Sequence, residues 1–71
     1  MDVEPNWHLT APGVLAWGST RFEIRYQAPG FYRVYHDGQS PESWGLHDAL
    51  DGAQRKVIRL ARDMLAMGID P

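Results

Sequence analysis

Seventy-one residues with a formal net charge of −2 make one domain, near the lower size at which a single core holds a fold unaided. The absence of cysteine excludes a disulfide framework and a thiolate zinc site, which points to an intracellular setting. A pI of about 5.8 speaks against a protein built to grip phosphates.

Taken in chain order, Met1-Asp2-Val3-Glu4-Pro5 is acidic and broken by proline, so residues 1–5 read as a frayed leader and not as a signal peptide. An internal echo follows. Trp7-His-Leu-Thr-Ala-Pro-Gly-Val-Leu-Ala-Trp17 and Ile24-Arg-Tyr-Gln-Ala-Pro-Gly-Phe-Tyr-Arg-Val34 each set Ala-Pro-Gly between runs of aromatic and β-branched residues. Proline presets φ and glycine accepts φ > 0, so both copies predict β-hairpins. With each Ala-Pro-Gly as a three-residue loop, Leu9 pairs with Leu15, Trp7 with Trp17, Tyr26 with Tyr32, Ile24 with Val34 and Phe22 with His36. A tight turn at Ser19-Thr20 sets Leu15 beside Ile24. One parity then holds across all three connections, because a one-residue slip would turn every side chain over. The shared face is Trp7, Leu9, Leu15, Trp17, Phe22, Ile24, Tyr26, Tyr32, Val34 and His36.

Asp37-Gly38 predicts another turn, Gln39–Ser43 a polar loop, and Trp44-Gly-Leu46 a short strand or a lead into a helix. The helix runs from about Asp48 to Met67, with Asp48 as N-cap and Gly68 as C-terminal cap. Leu50, Ala53, Val57, Leu60, Ala61, Met64 and Leu65 recur on one side at helical spacing. Arg55, Lys56, Arg59 and Arg62 lie on the polar side, where Asp51–Arg55 is an i,i+4 pair. Gly52 is read as letting the helix start approach the sheet. The expected fold is therefore α+β: an antiparallel three- to four-stranded β-meander over 6–36, with one C-terminal amphipathic helix over 48–67 packed on one face. A helix is about 10 Å across and four strands about 20 Å, so half of the apolar face is left for something else to cover.

Chemistry is sparse. His36-Asp37 and His47-Asp48 could contribute metal ligands, but they lack ligand spacing, and the two aspartates have ordinary duties as turn residue and cap. No phosphate loop, nucleophile elbow or Ser/His/Asp arrangement appears, so neither an enzyme nor a cofactor is expected. No segment approaches the roughly 20 apolar residues of a membrane span, and a cytoplasmic protein is expected. The outward sheet face gathers Arg21, Arg25, Phe31, Arg33 and Tyr35, residue types enriched at interfaces. The uncovered part of the inward face is expected at the edge bearing Trp7 and Trp17. The basic helix face Arg55, Lys56, Arg59 and Arg62 suits an acidic partner or plain solvation.

The segment Trp44-Gly-Leu-His-Asp-Ala-Leu-Asp-Gly-Ala-Gln54, after Phe31-Tyr-Arg-Val-Tyr-His-Asp-Gly38, resembles small phage and prophage proteins in which a strand pair leads into a helix. Its strand–strand–strand–helix order is also similar to the arm-binding domains of phage integrases and to the plant ethylene-response DNA-binding domain. Those likenesses imply a sheet that enters the DNA major groove. In its acidity and aromatic patch the chain also resembles host-takeover inhibitors, including anti-CRISPR proteins, which block a protein surface. The first expectation is a non-catalytic protein-binding module, of the kind a phage-encoded regulator or inhibitor of a host protein would be. The alternatives are a sheet-reading DNA-binding module using Arg21, Arg25, Arg33 and Tyr35, and a homodimer that buries its own spare face.

Overall fold

The computed structural model describes residues 7–18 and 20–71. The leader expected over 1–5, and Ser19 of the Ser19-Thr20 turn, lie outside them. Five antiparallel strands follow one another across an open sheet: β1 (Trp7–Ala11), β2 (Val14–Trp17), β3 (Phe22–Gln27), β4 (Phe31–His36) and β5 (Leu46–His47). One helix, α1 (Leu50–Ala66), packs on one face, and the fold is α+β. The expected three or four strands become five because Leu46 and His47 pair with Arg33 and Tyr32. Trp44 does not join that strand. It ends a single 3-10 turn (Glu42–Trp44) and packs its ring against Phe22, with centroids 6.1 Å apart.

The registers are those that parity predicts. Trp7 faces Trp17, Leu9 faces Leu15, Leu15 faces Ile24, and Phe22, Ile24 and Tyr26 face His36, Val34 and Tyr32. The two Ala-Pro-Gly copies reach this common outcome by different routes. In the second, all three residues form the loop between Gln27 and Phe31, the Ala28–Pro29 peptide is cis, and the Gly30 N–H donates to the Gln27 carbonyl at 3.1 Å. In the first, Ala11 pairs with Val14, so only Pro12 and Gly13 lie in the loop, and a bulge between Leu9 and Ala11 absorbs the odd residue. The bulge keeps Leu9 opposite Leu15, which is why the face survives a shorter loop. Asp37 and Gly38 both have positive φ (53° and 78°) and close a two-residue turn with paired hydrogen bonds between His36 and Gln39. Asp-Gly is preferred there because both central residues of such a turn need left-handed backbone.

The core gathers Trp17, Phe22, Ile24 and Val34 from the sheet and Ala53, Val57 and Ala61 from α1. The alanines let the helix axis come close enough for Val57 to be fully buried. Leu60 and Met64 pack beside them as expected, and so does Ile58, which the stripe read from spacing omitted. The helix begins two residues later than predicted. Asp48 is not its cap: the N-cap is Ala49, extended at φ −140° and without a side-chain cap bond. The cause is β5, which carries the chain as a strand to His47 and leaves Asp48 and Ala49 to turn it onto the sheet.

The other end of α1 follows the sequence closely. Gly68 takes φ 76°, its N–H donates to Leu65, and the Ile69 N–H donates to Met64. These are the two bonds of a Schellman motif, which needs a left-handed residue at that position. The chain then turns back until the Pro71 carbonyl accepts from the Arg21 N–H at 2.8 Å, with His36 Nε2 at 3.0 Å from the same oxygen.

Candidate functional site

Two surfaces of the sheet carry the residues singled out from sequence, and they have different characters. On the outward face, β3 and β4 set Glu23 opposite Tyr35, Arg25 opposite Arg33 and Gln27 opposite Phe31. The Arg25 guanidinium donates to Glu23 Oε1 at 2.9 Å and lies 4.2 Å above the centre of the Tyr35 ring. Gln27 Nε2 donates to the Tyr35 hydroxyl at 3.3 Å. Glu23, Arg25, Tyr35 and Gln27 thus hold one another, and Arg25 is engaged within the molecule. Arg33 has no ion pair among the described residues; it lies between Arg25 and Leu46, which is 52% exposed, with Phe31 40% exposed on the same strand. The structure brings Arg25, Phe31, Arg33 and Tyr35 together. Arg21 stands apart ahead of β3. Its carbonyl accepts a backbone bond from the Asp37 N–H at 3.1 Å.

On the inward face, the path of α1 decides what is open. The chain leaves β5 beside Tyr32, so α1 starts at the Tyr26–Tyr32 end of the sheet, and the segment after it returns to His36 and Arg21. The helix lies mainly over β3, β4 and β5. At its far end Trp17 is buried to 1% exposure, with Trp7 stacked on it, centroids 5.6 Å apart and planes 16° from parallel. This corrects the expectation that Trp7 and Trp17 form the uncovered edge. Trp17 belongs to the core, and Trp7 is half-buried against it. The uncovered part is the opposite corner, where Leu9 is 73% exposed, Tyr26 49% and Leu50 37%. With Leu15, Ile24 and Tyr32 they line an open apolar groove of about 230 Å3. No charged side chain lines it. Tyr26 and Tyr32 meet edge to face across its floor, centroids 5.5 Å apart.

Sequence parity had placed Leu9 and Tyr26 on this face without marking them as a site. The missing signal is the direction of the helix across the sheet, which no residue spacing encodes.

Arg55, Arg59 and Arg62 are exposed on α1 and Lys56 is half-buried. Arg55 Nη2 reaches Asp51 Oδ2 at 3.4 Å in the expected i,i+4 pair, between two well-exposed groups. The histidines form no centre. His36 Nε2 faces the Pro71 carbonyl, His47 Nε2 faces the Trp44 carbonyl at 3.0 Å, and among the described residues no three His, Asp or Glu side chains converge. Within the same residues, no helix is long and apolar enough to cross a membrane. Compared with models of known families, with curated proteins and with solved structures, the chain gives no match.

Proposed function

We propose that the protein is a non-catalytic protein-binding module whose partner docks on the apolar corner at the Tyr26 end of the sheet. One observation carries the reading: Leu9, Tyr26 and Leu50 stay exposed around a single groove on the face that also supplies the core. Contiguous exposed apolar surface of this kind marks interaction sites, whereas singly scattered apolar residues do not. Aromatic residues at such a site supply contact area at small entropic cost. The Arg33, Phe31 and Leu46 surface on the other side of the sheet offers a second, more polar contact. A module of this kind suits a phage-encoded regulator or inhibitor of a host protein, since blocking a surface needs shape and no catalytic group.

The test is a capture experiment from cell lysate with the full chain as bait, run beside Tyr26→Glu and Leu9→Glu. A partner held by the wild type and lost by both variants supports the reading, provided that all three melt alike. A partner retained by both variants, but lost by Arg33→Glu, would move the site to the outward face.

A further inference from the structure

We infer that the occupant of this corner is an amphipathic helix of the partner, lying beside α1 with an apolar stripe on the sheet and acidic side chains toward the α1 arginines. The inference rests on the protein-binding reading above and adds the chemistry of the partner. Three observations carry it.

The first is width. At the Tyr26 end, α1 starts on the β5 side, so β1, β2 and β3 lie open there. Two strand spacings of about 4.8 Å separate β1 from β3, close to the ~10 Å diameter of one helix. The second is the lining. Apart from the two tyrosine hydroxyls, the groove side chains offer nothing that could satisfy an extended backbone laid over them. A helix bonds its own peptide groups and needs no such partners, whereas a lone strand on this surface would bury them unpaired.

The third is charge. Leu50, which lines the groove, is followed at four-residue intervals by Gln54, Ile58 and Arg62 along the same side of α1. Arg55, Ile58, Arg59, Arg62 and Asp63 line a second hollow, where three cations outnumber one acid. α1 carries four basic and two acidic residues, and among the described residues Asp51 is the only acid paired with any of the four. A neighbouring helix therefore meets a positive shoulder, and Glu or Asp on its flank complements it.

The probe is a set of fluorescently labelled 18-residue synthetic peptides, titrated with the full-length chain and read by anisotropy. One carries a leucine stripe with glutamate flanks, one the same stripe with lysine flanks, and one the glutamate sequence with a central proline. The glutamate peptide is expected to bind at least about tenfold more tightly than either of the others, a margin of about 1.4 kcal/mol. Tyr26→Glu should weaken it by a similar factor with an unchanged melt, and Arg62→Glu should narrow the preference for glutamate over lysine. Equal binding of the proline-broken peptide, or binding indifferent to Tyr26→Glu, overturns the inference. So does a wild-type chain that sediments as a dimer and that Leu9→Glu converts to monomer, because a second copy would then fill the corner. If no peptide binds while the lysate partner is still lost by Tyr26→Glu, the helix is wrong and the protein-binding reading stands.

Discussion

Trp17 and Tyr26 belong to the same face of the same sheet, yet one is buried to 1% exposure and the other stands 49% exposed. Their substitutions should differ accordingly. Trp17→Ala removes a fully enclosed indole from between Trp7, Phe22 and the helix, and is expected to cost about 3–5 kcal/mol in denaturant unfolding. Tyr26→Glu and Leu9→Glu touch side chains that already meet water, and each should leave stability within about 0.5 kcal/mol. Similar losses at all three positions would mean that the corner is core. Gly52 gives a second contrast. Sequence reading gave it a role in letting the helix approach the sheet, but a Cβ built there meets only His47 Nδ1, at an ordinary 3.9 Å. Since its backbone is helical, Gly52→Ala should raise stability by about 0.5–1 kcal/mol, measurable as a higher thermal midpoint.

At the scale of elements, α1 is held differently at its two ends. Its start has no side-chain cap, and its end has a complete Schellman motif built on Gly68. Gly68→Ala forces a Cβ into φ 76° and should cost about 1 kcal/mol, with faster amide exchange at Gly68-equivalent and Ile69 N–H groups as the local readout. Asp48→Ala, by contrast, should change little, because the cap position belongs to Ala49. The hairpins make a related point. Two identical tripeptides give a two-residue loop with a bulge and a three-residue loop with a cis peptide, and both preserve the face. What the strands demand is the burial of Leu15, Ile24 and Val34 in one row, and each turn adapts to that demand.

For the whole molecule, the outward sheet face bears on nucleic-acid binding. Arg25 is tied to Glu23 and Tyr35, which leaves Arg33 on β4 and Arg21 just ahead of β3 without an ion pair among the described residues. Two phosphate contacts predict a log–log salt slope of about −2 on random duplex. A titration between 50 and 200 mM salt, both about the ordinary working range, checks this. A much steeper slope would mean that the α1 arginines also engage DNA, and would favour the DNA-binding alternative over a protein partner.

The α+β class, the strand registers, the Asp37-Gly38 turn, the Gly68 cap and the gathering of Arg25, Phe31, Arg33 and Tyr35 were legible in the chain itself. They depend on alternation, on helical period and on the backbone conformations that particular residues accept, all of which are local. The fifth strand was legible only as one of two readings of Trp44–Leu46, and the late start of α1 and the burial of Trp17 were not legible, because each depends on where one element lies against another. Sequence spacing says that a helix of one width leaves part of the sheet bare; only the packed structure decides which part. That choice rests on β5, which delivers the helix at the Tyr32 edge, and on Ala53 and Ala61, whose small side chains pack α1 into one core with Trp17 and Phe22. The corner with Leu9 and Tyr26 is what remains.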